Sequence, residues 1–180
     1  MWHNPLLYFV RHLLAFLALP FIVTIVVPLY LLRPGDSWPN RLDPFVRLTL
    51  VALGTLLLVI GLFLFVSSLR HFATRGRGTL APWDPPRNLV VTGPYRFVRN
   101  PMISGVIFIL FSEAALLQSH ALLAWAATFL VINLIYIPLF EEPSLALRFG
   151  DSYDEYRQHV RRFIPRLRPW SPRGTPKSTA

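Results

Sequence analysis

The sequence predicts an all-α integral membrane protein of about four spans. Three observations carry this: four long apolar runs, arginines gathered on every second connection, and a connection of three residues between the last two runs. Leu13 to Leu32 carries no charge over 20 residues, and Leu48 to Leu69 none over 22. Ala121 to Phe140 carries none, and Met102 to Leu117 only Glu113. A spanning helix needs ~20 apolar residues to cross ~30 Å of hydrocarbon. The first, second and fourth runs meet that length, and the third is short and extends toward Gln118 to reach the interface.

The first run is too long for a typical secretory apolar region, and no small-residue cleavage site precedes Arg33, so it is expected to remain as a span. Composition agrees: 53% of residues are hydrophobic and the mean hydropathy is +0.46, beyond an ordinary soluble domain of this size.

Orientation follows from the basic residues. Six arginines lie between Arg70 and Arg99, eight basic residues follow Phe140, and Arg11 precedes the first run. The connection between the first two runs holds Arg33, Arg41 and Arg47, and Gln118-Ser119-His120 holds none. The division is fifteen to three. The fifteen are expected in the cytoplasm, with both termini, and the predominance of arginine over lysine suggests a bacterial inner membrane. The same bias accounts for the net charge of +9, so nucleic acid is not an expected partner. With no cysteine and five histidines outside HExxH spacing, no metal site is expected.

The chain divides into two N-terminal spans (1–69), a polar-motif half (70–165) and a tail expected to be disordered (166–180). Pro20 and Pro28 fall inside the first span, where neighbours can satisfy the carbonyls they free. Gly54 and Gly61 allow close helix approach in the second. The segment HFATRGRGTLAPWDPPRNLVVTGPYRFVRNP is too long and too rich in Gly and Pro for a simple connection, and is expected to be ordered and functional. Residues 102–140 form an antiparallel hairpin. Beyond it, Leu145, Phe149, Tyr153, Tyr156, Val160 and Phe163 step by three or four, predicting an amphipathic helix over 144–164, interrupted by Gly150 as a candidate break, that rests on the membrane or on the hairpin as a lid.

Two polar clusters share the basic side: GPYRFVRNP before the third run and Glu141-Glu142 after the fourth. The hairpin turn sets them side by side, and acids this close to hydrocarbon are costly unless paired or functional. Opposite charges at a membrane rim suit a polar cofactor, with a lipophilic co-substrate arriving from the bilayer.

GTLAPWDPPRNLVVTGPYRFVRNPM, the Glu-Glu pair and FGDSYDEYRQHVRRFIP together resemble the isoprenylcysteine carboxyl methyltransferase and phospholipid methyltransferase superfamily, over roughly Gly76 to Pro165. The resemblance implies S-adenosylmethionine as cofactor, bound through an Arg-His-Pro-x-Tyr stretch and the Glu-Glu pair. Arg99, Pro101, Glu141 and Glu142 match that pattern, with Tyr95 beside it. Asn100 stands in place of the histidine and keeps hydrogen-bonding ability, and Ile103 in place of the tyrosine removes an aromatic contact and a hydroxyl. The implied activity is methyl transfer to a lipophilic small molecule or lipidated substrate among membrane lipids. A carboxylate acceptor is favoured over an amine, because it is already ionised and no residue stands out as a base.

Other readings stand beside these. Glu141 and Glu142 before Pro143 could cap a helix start. Arg96 could be only a positive-inside anchor, Pro101 could simply open the third helix, and Tyr95, Tyr153 and Tyr156 could be interfacial aromatics. Glu113 is expected to pair with Asn133 or a hydroxyl or to reach outward, and His71 and His159 to be surface residues. The lone fragment Gly76-Arg77-Gly78 excludes a soluble Rossmann-type methyltransferase. A sterol-type membrane reductase using a nicotinamide cofactor and a non-enzymatic accessory or transport subunit are the rival functions.

Overall fold

The computed structural model describes residues 17–33, 36, 38, 43–76 and 88–172. Expectations for His3, Arg11, His12, Pro39, Arg41, Arg77, Trp83, Arg87 and the last eight residues lie outside it. The four apolar runs are helical over most of their described residues. Helix α1 is π-wound over Leu17–Val26 and passes into an α-helix at Val27–Leu31; α2 is Pro44–His71, closing in a π-turn at Phe72–Gly76. Helix α3 is Pro101–Leu117 and α4 is His120–Tyr136. A π-turn over Ile137–Glu141 joins α4 to α5, Glu142–Phe149, and α6 is Asp151–His159.

Prolines dictate the unusual winding. Pro28 has no N–H for the carbonyl of Val23 five residues back, and the indole of Trp125 on α4 donates to that oxygen at 3.1 Å. Thr24 Oγ1 donates to the carbonyl of Pro20 at 2.7 Å. A neighbouring helix and a hydroxyl thus satisfy the backbone, as expected for a helix with no water beside it.

Among the described residues, two helices are long and apolar enough to cross a membrane: Pro44–His71 and the continuous rod His120–Phe149. The apolar window of Pro44–His71 has a mean hydropathy of 2.7, yet only 17% of it is buried. Phe45, Leu48 and Phe63 are each at least two-thirds exposed. A soluble core helix would bury such a surface, so lipid is its solvent. Pro20–Leu31 and Pro101–Leu117 are shorter apolar helices; at 1.5 Å per residue α3 is about 25 Å long.

Helices α2 and α3 pack most closely, through glycine. A Cβ at Gly61 would lie 2.9 Å from the carbonyl oxygen of Gly105, and one at Gly105 would lie 2.8 Å from that of Gly61. Neither helix tolerates a side chain there. Phe65, Val106, Ile109, Leu110 and Ala126 form the core around this crossing. At one end of the bundle, Asp36 accepts from Ser119 Oγ, Trp38 N donates to Gln118 O at 2.7 Å, and Trp38 and His120 pack ring to ring. The short α1–α2 connection and the hairpin turn therefore share that end, and the polar motifs occupy the other.

Three expectations are corrected. The helix over 144–164 ends at His159 because Val160 is extended, while Gly150 (φ 52°, ψ −133°) does break it into two, as its place in the pattern allowed. Glu141 and Glu142 do not cap a helix start, since the rod continues through them: Pro138 and Pro143 cannot donate, and Glu142 N bonds Ile137 O in the π register. Residues 166–172 are not disordered but docked, as described below.

Candidate functional site

The loop before α3 is built against α2. Thr92 Oγ1 lies 3.2 Å from His71 Nδ1. Gly93, at φ 57°, passes so close to the His71 ring that a Cβ would come within 2.3 Å of Nε2. His71 is therefore a packing partner rather than a surface residue. The 3-10 turn Gly93–Arg96 then leads to Pro101, which occupies the first turn of α3 and is fully buried. A proline there has no N–H to leave unsatisfied. Asn100 precedes it without a side-chain cap; its carbonyl accepts from Ser104 N at 3.0 Å and Ser104 Oγ at 2.9 Å.

At the other end of the hairpin the π-turn delivers Glu142 to Arg99. Arg99 Nη2 lies 3.1 Å from Glu142 Oε1, with side chains only 10% and 11% exposed. Arg162 completes the cluster with a forked contact, Nε to Oε1 at 2.6 Å and Nη2 to Oε2 at 2.9 Å. Planar guanidinium matching planar carboxylate is the strong form of this bond. Arg99 also reaches Tyr153 OH at 3.4 Å, while its Nε is buried without a hydrogen-bond partner among the described residues. Glu141 lies beside Tyr95: burial pushes the Tyr95 hydroxyl well above its ordinary value, and the Glu141 charge adds to the shift. No side-chain hydrogen bond or ion pair ties Glu141 among the described residues. One carboxylate is thus fully engaged and the other is open.

Tyr153 and Tyr156 are 2% and 3% exposed, so they are not interfacial aromatics. With Val160 they form a second core, against Leu89, Val91, Leu145, Phe149 and Trp170. Tyr156 OH donates to Tyr95 O at 2.6 Å. Burial, reinforced by the Glu142 charge and opposed by Arg99, pushes the Tyr153 hydroxyl up to about 12. The face predicted by the three-four spacing is the buried face, but it meets the loop before α3 rather than lipid.

The tail closes over the same loop. Arg166 N donates to Phe97 O at 2.9 Å and Trp170 N to Arg96 O at 3.0 Å. Arg96 answers with Nε to Trp170 O at 2.9 Å and Nη2 to Ser171 Oγ at 2.6 Å, so it is a tether rather than a lipid anchor alone. Sequence reasoning missed Arg162 and this tether. The signal for Arg162 was present, since a carboxylate near hydrocarbon requires a partner and Arg161-Arg162 lies within the quoted tail motif.

Along α3, from Trp38 at one end to Phe163 at the other, runs a groove of about 490 Å³ lined by Leu53, Phe108, Leu130 and other apolar residues. Ser104, bonded to Asn100 O, forms part of its wall near the ionic cluster. Glu113 does not pair with Asn133 as expected. Asn133 Nδ2 donates to Phe129 O at 2.8 Å, and Glu113 Oε2 is buried without a partner among the described residues.

An all-helical membrane protein with a buried ionic cluster at the end of a helical hairpin defines a class, and the comparisons narrow it. The family described as phospholipid methyltransferase matches residues 49–152, more than half of the chain, and the protein belongs to that family. The match begins in α2, earlier than the resemblance read from motifs, and ends in α6. Over 73 residues the chain is 33% identical to Methanethiol S-methyltransferase 2 of Bradyrhizobium diazoefficiens, covering 41% of this chain and 27% of that protein. No solved structure matches.

Proposed function

We propose that the protein transfers a methyl group from S-adenosylmethionine to a lipophilic acceptor at the cytoplasmic rim of a bacterial inner membrane, with both termini cytoplasmic. The observation that carries this is the convergence of Arg99, Glu141 and Tyr95 beside Glu142, next to an apolar groove in a chain of this family.

The available groups suit the cofactor. Arg99 Nε has no partner and would meet its carboxylate, and the open carboxylate of Glu141 would accept from its amino or ribose hydroxyl groups. Tyr95, Asn100 and Pro101 would form the adjoining wall. When bound, S-adenosylmethionine supplies a methyl group on a cationic sulfur. The protein's part is to hold that sulfur in line with the acceptor and to keep water out, which is where most of the rate for such a transfer arises. The groove would hold the acceptor's hydrocarbon and lead its reactive end toward Asn100.

A carboxylate is the favoured acceptor, because it needs no proton removed and no base is evident at the cluster. The name of the relative favours a second reading, a thiol acceptor. The groove speaks for a long-chain acceptor over a small one, since a one-carbon thiol leaves about 490 Å³ of apolar space without purpose. The test supplies methyl-labelled S-adenosylmethionine and the full chain in lipid with a long-chain carboxylic acid, phosphatidylethanolamine or methanethiol. Label should enter the long-chain acid. Label in methanethiol alone would favour the second reading, and label in none would contradict both.

A further inference from the structure

We infer that Arg162 is a positioning residue of the site: it grips Glu142 so that Arg99 keeps a free donor, and it clasps the segment 160–171 over the cluster. This rests on the proposed function and adds to it a residue beyond the stretch that the family match covers, which ends at residue 152.

The argument begins with the Glu142 carboxylate. Its oxygens receive Arg162 Nε and Nη2 in a fork, and Arg99 Nη2 shares Oε1. Two cations on one buried carboxylate would be excessive if the cluster were only structural. The arrangement has a purpose if Arg162 meets the demand of Glu142, leaving Arg99 only partly engaged and its buried Nε unpartnered. Without Arg162, Arg99 becomes the sole strong partner of Glu142. Its fork would turn onto that carboxylate and away from any ligand.

The backbone points the same way. Arg99 N donates to Arg161 O at 2.9 Å and Asn100 N to Arg162 O at 3.3 Å. The segment thus takes up the N–H groups leading into α3, at the residues proposed to face the cofactor. Farther along, Arg96 ties Trp170 and Ser171, and the Trp170 ring stacks on His159 with centroids 5.3 Å apart. The segment is a strap fastened to the loop at its far end by Arg96 and at its near end by Arg162.

The test is calorimetric titration of S-adenosylhomocysteine into the purified full chain, with melting temperature measured on the same samples. Arg162→Gln should weaken binding about tenfold, the range for losing a charge-assisted hydrogen bond. Arg162→Lys keeps the charge without the fork and should recover only part of the loss. Glu142→Gln removes the contacts of both arginines and should weaken binding at least as much, and the double variant should be no weaker than Glu142→Gln alone, since Arg162 acts through Glu142. Wild-type affinity in both Arg162 variants would overturn the inference. So would a fall in melting temperature with unchanged affinity, or a double variant clearly weaker than Glu142→Gln alone. Failure of the wild-type chain itself to bind would overturn the proposed function along with it.

Discussion

At Arg99 two side-chain nitrogens are engaged, Nη1 with Tyr153 and Nη2 with Glu142, and Nε is not. Arg99→Lys should therefore keep the charge opposite Glu142 but lose the geometry. A loss of cofactor affinity of about tenfold, with less than ~1 kcal/mol lost from stability, is expected from titration and thermal melting. Tyr153 gives a pH prediction. Its hydroxyl is pushed up to about 12 from the ordinary 10.0, chiefly by burial. The neutral phenol is thus favoured by folding, and its contribution is complete below pH 10 and lost as pH rises toward 12. Alkaline melting should show a drop over that window that is smaller in Tyr153→Phe; an unchanged drop would place the sensitivity elsewhere. Arg99 and Glu142 were legible in the sequence because opposite charges flank a hairpin with a three-residue turn. Arg162 was signalled only indirectly, by the need of a buried carboxylate for a partner, because a pairing across a helix break follows no periodicity.

Helix breaks set the geometry at the next scale. The π-turn at Ile137–Glu141 carries one extra residue, so the side chains after it are rotated by about 100° relative to an unbroken α-helix. Apolar spacing could predict that a helix occupied this stretch, but not the register shift, which arises from the missing N–H groups of Pro138 and Pro143. At Gly150 more was legible: the three-four pattern on either side marks the buried face, and a glycine within it marks where the helix breaks. At φ 52° and ψ −133° a β-carbon is strongly disfavoured. Gly150→Ala should cost about 1–3 kcal/mol and loosen α6, read as a lower melting temperature and faster proteolysis after residue 150. A variant as stable as wild type would show that the turn adapts freely.

Over the whole molecule, the apolar runs prefigured the membrane-embedded helices, and the structure gathers the polar motifs at one end. The docking of residues 166–172 was hidden, because part of it is backbone to backbone and the reach of Arg96 to Trp170 and Ser171 looked like ordinary positive-inside bias. Reporter fusions should place the tail after Trp170 and the loop around Trp83 in the cytoplasm, and Pro39 and Ser119 outside. An external signal at Trp83 would reverse the orientation. Close packing at Gly61 gives a further check: Gly61→Leu should separate α2 from α3 and lower stability by about 1–3 kcal/mol or more.

The central claim is that the cluster of Arg99 and Glu141 receives S-adenosylmethionine, and equilibrium binding of labelled cofactor to the purified full chain tests it most directly. The account predicts saturable binding, displaced by S-adenosylhomocysteine but not by NADPH, and weakened at least about tenfold in both Arg99→Gln and Glu141→Gln. No saturable binding, or wild-type affinity in both variants, would contradict it.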